Sequence, residues 1–114
     1  MKCEIDELHS KAMDLADDAF IARRKGLSDQ ANDLYNQAFE IEKQAALLLV
    51  DNFEVEPTRS VLFRSAGWLA FNADDYESAQ EMVDMALQGN PPPAIKEQLE
   101  ELSCAIIAVN NAKN

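Results

Sequence analysis

Residues able to do chemistry are few in this chain and widely separated. His9 is the only histidine; Asp6, three residues before it, falls on the same side of a helix, where the two could share a metal ion. A helical di-iron centre needs two Glu-x-x-His elements and two further carboxylates, so a single histidine excludes it. Asp14, Asp17 and Asp18 cluster within one predicted helix and read as a solvated face. Cys3 and Cys104 lie at opposite ends with no histidine beside either, and Cys104 falls in an apolar stretch expected to bury its thiol. No glycine-rich phosphate loop occurs. The expectation is a protein that is not an enzyme and uses no metal and no cofactor. What remains is recognition chemistry: Arg64 and Trp68, at i and i+4, could hold a carboxylate and pack an apolar side chain beside it.

The elements that must position these residues are helical. Alanine, leucine, glutamate and glutamine dominate while valine and threonine are sparse, which favours helix over strand. With 114 residues, 47% of them hydrophobic, and only three glycines, the chain fits one globular domain without a flexible linker. A formal charge of −11 argues against nucleic acid and anionic membrane as partners. Between Asp74 and Glu101 eight acids face Lys96 alone, so this region is suited to steer a basic partner. The longest apolar run, Ala45 to Val50, is too short to span a bilayer, and Glu4, Asp6 and Glu7 do not fit a signal peptide. Two cysteines read as free thiols complete the expectation of a cytoplasmic protein.

Periodicity divides the chain into five helices. Ile5, Leu8, Ala12, Leu15, Ala19 and Ala22 form the first stripe, closed by Arg23, Arg24, Lys25 and the terminator Gly26. Ser28 is expected to cap a long second helix reaching about Val50, with Ala31, Leu34, Tyr35, Ala38, Ile41, Ala45, Leu48 and Leu49 inward. The third, from about Pro57 to Asn72, is the most apolar. Asp74 and Glu77 are spaced as a capping box for the fourth, whose inward stripe is Ala79, Met82, Val83, Ala86 and Leu87 before Gly89 stops it. Pro91 to Pro93 then start the fifth, with Ile95, Leu99, Leu102, Ile106 and Val109 inward.

The third and fourth helices resemble a tetratricopeptide repeat. Gly67, Tyr76, Ala79, Ala86 and Pro91 fall at that family's intervals, although Val83 stands where a large aromatic is usual. The first two helices resemble a degenerate copy, with Ala19, Ala31 and Ala38 answering to Gly67, Ala79 and Ala86. Ala31 and Ala79 are 48 residues apart, about four helical turns more than the usual spacing of about 34. The Arg-Ser-Ala, Leu-Ala, Asp-Tyr and Gly-Asn-Pro-Pro segments also resemble those of small bacterial proteins, a likeness that implies no activity. The resemblance implies one all-α domain over residues 1–114. It would be a right-handed α-α superhelix of antiparallel hairpins: a degenerate pair over about 3–52, a second pair over 57–90, and a capping helix over 92–112.

In this family the first helix of each repeat lines a groove for a peptide or partner helix. The resemblance therefore places Arg64, Ser65, Trp68, Phe71 and Asn72 in the groove from the second repeat. From the first it places Ala16, Asp17, Phe20, Arg23 and Arg24 there. A protein- or peptide-binding adaptor is the leading expectation. With only two repeats the groove could instead be filled by the protein's own helices, leaving Trp68 and Phe71 in the core. The alternative function is a self-associating structural protein, a homodimer through the terminal helices. It rests on Ala105, Ile106, Ile107 and Val109, which make the last helix apolar almost all round. A third reading, an MIT-like helical hairpin, shares the alanine-rich packing but is shorter.

Overall fold

Small side chains at buried positions set how closely the helices of this protein approach. Ala12, Ala19, Ala31, Ala38, Ala45, Ala66, Ala70, Ala79 and Ala86 are all fully buried, and each lets a neighbouring backbone come nearer than a leucine would. A computed structural model describes residues 3–113. It contains α1 (Glu4–Arg24), α2 (Ser28–Leu47), α3 (Thr58–Asn72), α4 (Tyr76–Leu87) and α5 (Pro93–Ala112), with no strand among the described residues. The protein is all-α. α1 packs most extensively on α2, α3 packs on both α2 and α4, and α5 rests more lightly on α3 and α4. None of these helices is long and apolar enough to cross a membrane.

Two of the turns are built alike. At the end of α1, Gly26 is left-handed at φ 80, Leu27 N–H donates to the Ala22 carbonyl at 3.0 Å, and Gly26 N–H donates to Arg23 at 3.0 Å. At the end of α3, Asp74 is left-handed at φ 64, with Asp75 N–H on Ala70 at 2.9 Å and Asp74 N–H on Phe71 at 3.0 Å. Both are Schellman closures, and the next residue, Leu27 or Asp75, is already the N-cap of the following helix. These tight connections correct two expectations. Ser28 is the first residue of α2 and makes no cap, and Asp75, not Asp74, caps α4 by accepting from Ser78 N–H at 3.1 Å. Asp74 is spent on the left-handed turn, a conformation aspartate tolerates better than most side chains.

The second helix ends at Leu47, short of Val50. Leu48 and Leu87, expected inside, are exposed, and Phe39, Glu42 and Ala46 are buried instead. Leu48 and Leu87 stand where α2 and α4 end, while α2 lies between α1 and α3 and must bury two faces, so one stripe underestimates it. At Gly67, a Cβ would lie 2.8 Å from Leu102 Cδ2 and 3.5 Å from Met82 Cβ, so α3 approaches both α4 and α5 there.

The largest fully buried side chain is Arg59, on the first turn of α3. Its Nε and Nη2 donate to the Val50 carbonyl at 3.1 and 3.0 Å, and Nη2 also donates to Met85 at 3.0 Å. Phe53 and Phe63 lie 4.7 and 5.0 Å from the guanidinium carbon, within cation–π range. Glu56 secures the surrounding loop by accepting from Ser60 N–H, Ser60 Oγ and Asn90 N–H. A Cβ on Gly89 would stand 2.5 Å from Arg59 Nη1. Arg59 cannot yield without breaking its carbonyl bonds. Gly89→Ala is therefore expected to lower stability by about 1–3 kcal/mol, seen as an earlier urea midpoint with native helix content retained.

Candidate functional site

α1 and α3 run the same way, flanking α2, and approach each other at their two ends. Near their C-terminal ends, Arg23 Nη1 donates to the Asn72 carbonyl at 3.0 Å. Near their N-terminal ends, Ile5, Asp6 and His9 share a cleft of about 210 Å³ with Pro57, Thr58, Val61 and Leu62. The two helices meet through long side chains at either end, which leaves their paired faces as the candidate recognition surface.

On that surface Phe20 is 54% exposed, and Arg24 stacks its guanidinium 5.8 Å from the Phe20 ring. Arg64 is partly exposed and turns toward α5, where Nη1 donates to Gln98. Trp68 and Phe71 are partly buried and packed against the core. Their rings meet edge to face at 5.5 Å, and Phe71 meets Tyr76 the same way at 5.3 Å. This row of aromatics is a rigid floor more than a set of free contacts. Asn72 bends back to donate to the Trp68 carbonyl at 3.0 Å, so its amide is engaged within α3. Ala16 and Ser65 are partly buried and Asp17 is exposed.

A polar network joins the ends of four helices around the two turns. Arg23 Nη2 donates to Asn32 Oδ1, Asn32 Nδ2 donates to Asp74 Oδ2 at 3.3 Å, and the Tyr76 hydroxyl donates to Asp74 Oδ1 at 2.9 Å. Lys113 caps the other side of Tyr76, 4.9 Å above its ring. Burial, and after it the Asp74 hydrogen bond and negative charge, push the Tyr76 phenol above its ordinary value of 10.0, with Arg23 opposing. The unfolded chain releases this proton at lower pH than the folded one, so stability falls as pH rises past that value. In Asp74→Asn the Tyr76 phenol is expected to titrate lower yet still above its ordinary range, because burial is the larger cause; NMR of the ring Cζ reads this directly.

Sequence reasoning missed the second polar centre. Glu42 is fully buried, and His9 Nδ1 lies 2.8 and 3.0 Å from its two carboxylate oxygens. When Glu42 is ionised its carboxylate only accepts, so Nδ1 donates and Nε2 is left out of this bond. Glu42 sits 33 residues from His9 on a helix position that reads as polar, and only the α1–α2 pairing brings the two together. Arg59 was equally silent, since neither its type nor its spacing marks it as buried. Asp6 lines the cleft beside His9, but among the described residues no three of His, Cys, Asp or Glu converge as a metal site requires.

Both cysteines are free and exposed. Cys104 thus contradicts the expected burial: Leu99, Leu102 and Ile106 take the inward face of α5, and Cys104 turns to solvent with Ile107, which is 55% exposed. Compared with protein families, curated proteins and solved structures, the chain matches none.

Removing His9 strips a buried carboxylate of its partner. His9→Ala is expected to cost about 1–3 kcal/mol, and His9→Ala/Glu42→Leu, which removes both polar groups, is expected to regain part of that loss in urea denaturation.

Proposed function

We propose that this protein is a non-enzymatic adaptor that binds a protein or peptide along the α1/α3 face. In this reading α1–α2 and α3–α4 are two tetratricopeptide-like repeats of a right-handed superhelix, and α5 is the capping helix. The observation that carries the reading is the co-directional pairing of α1 and α3, with Phe20, Arg24 and Arg64 open on the same two helices. The matched turns at Gly26 and Asp74 support it, because they lie at the same interval as Ala31 and Ala79. Arginine and aromatic side chains supply planar donors and rigid area, the usual content of a binding hot spot. Trp68, Phe71 and Asn72 serve the site as its floor, holding α3 straight beneath the exposed groups. Acids along α4 and α5 would draw a basic partner toward the face and keep nucleic acid away. Free thiols suit a cytoplasmic location.

The second reading is a homodimer through the terminal helices. Exposed Ile107 beside exposed Cys104 favours it, since a lone cap has no need of an outward isoleucine.

Because Trp68 also packs against the core, the test uses exposed positions. Arg64→Glu/Phe20→Ser is expected to keep its helix content and to lose at least tenfold in affinity for whatever partner the native protein captures from its source cells. Equal retention by the variant would reject the α1/α3 face. A mass that doubles with concentration, and returns to monomer in Ile107→Lys, would favour self-association.

A further inference from the structure

The cleft between the first turns of α1 and α3 has a composition of its own. Its walls are Ile5, Pro57, Val61 and Leu62, and the ionisable groups that line it are Asp6 and His9. Among the described residues, neither lysine nor arginine lines it. Its volume of about 210 Å³ is ample for a four-carbon chain, and the polar side chains set among those apolar walls include an anion and an imidazole. The imidazole is itself a built feature. Glu42, fully buried, grips His9 Nδ1 through both oxygens, which fixes the ring and leaves Nε2 as the nitrogen available to a ligand. In the neutral ring Nε2 accepts.

We infer that this cleft is a socket for a primary alkylammonium group, specifically a lysine side chain presented by the protein's partner. The methylenes lie along Ile5, Val61 and Leu62, and the ammonium donates to the Asp6 carboxylate and, when the His9 ring is neutral, to its Nε2. Lysine side chains combine an apolar stem with a charged head in this way, and three donors on the ammonium meet two acceptors here with one left for water. Arginine fits less well, because a planar fork spans a carboxylate and not a carboxylate plus a ring nitrogen. Charge supports the assignment: with a net charge of −11 and no lysine or arginine among the described residues that line the cleft, an approaching ammonium is drawn in and an approaching carboxylate repelled. The inference rests on the adaptor reading for its biological occupant, and it sharpens that reading by giving the partner a lysine at the α1/α3 entrance.

The probe is n-butylammonium, titrated against the protein at low ionic strength while NMR follows the His9 ring and the Ile5 and Val61 methyls. Saturable shifts at all three are expected, with n-butanol at least fivefold weaker and Asp6→Asn at least threefold weaker for the ammonium. Asp6 is exposed, so that variant leaves the fold intact. Equal binding of alcohol and ammonium would overturn the socket and leave an apolar cleft, as would the absence of saturable shifts. Arg64→Glu/Phe20→Ser separates this from the adaptor reading. If that variant loses the partner but still binds butylammonium, both stand; if the native protein captures its partner through Arg64 and Phe20 yet ignores butylammonium, the socket alone falls.

Discussion

A buried guanidinium that makes no direct ion pair among the described residues, with the Glu56 carboxylate nearby but bonded to Ser60 and Asn90, is the constraint on which this fold turns. Arg59 has zero exposure, and its positive charge is met by the carbonyls of Val50 and Met85. Met85 lies in the last turn of α4, where the helix dipole concentrates negative potential, and Val50 lies in the turn that follows α2. An isolated cation in such a place would cost several kcal/mol, and removing its partners would leave that cost exposed. The chain therefore cannot separate α2, α3 and α4 at this end independently. Much of the surrounding loop follows from the same demand. Phe53 and Phe63 wall the group in, Glu56 ties Ser60 to Asn90, and Gly89 is glycine because Arg59 occupies the space its side chain would need.

The opposite end is held by different means. There Arg23, Asn32, Asp74 and Tyr76 link the ends of α1, α2, α3 and α4 through hydrogen bonds. Between the two polar ends lies an interior in which alanine predominates, and alanine brings backbones close while burying little apolar area per residue. Close packing of small residues gives precise spacing but modest driving force. Directional polar contacts at the ends supply what the core lacks in specificity: they fix which helix ends meet. His9 and Glu42 serve the same purpose for α1, tying its N-terminal third to the C-terminal half of α2.

Helix number, order and inward stripes were legible because periodicity follows from the helix itself, and α1 and α5 need bury only one face. Ala12, Ala19 and Ala22, and likewise Leu99, Leu102 and Ile106, are inward as their spacing requires. Where two faces are buried the stripe fails. Phe39, Glu42 and Ala46 on α2 lie inside although they fall outside the single stripe that the spacing marks. Arg59 and Glu42 were illegible for a deeper reason: a charged residue reads as exposed unless its partners are known, and those partners come from other helices. The candidate face divided in the same manner. Phe20, Arg24 and Arg64 retain exposed surface, whereas Trp68 and Phe71 are shared with the core, because their ring packing runs on through Tyr76 into the α3–α4 turn.

The lightly held fifth helix gives the candidate face a physical link to the rest of the molecule. Arg64 spans the gap from α3 to α5 by donating to Gln98, a neutral acceptor at an exposed position. A carboxylate on a bound partner is a stronger acceptor than an amide oxygen, since a charge-assisted bond is roughly twice as strong as a neutral one. In the proposed adaptor reading a partner carboxylate therefore competes with Gln98 for Arg64. The apolar tie remains, because Leu102 still packs beside Gly67. Cys104 and Ile107 sit on that same helix and face outward.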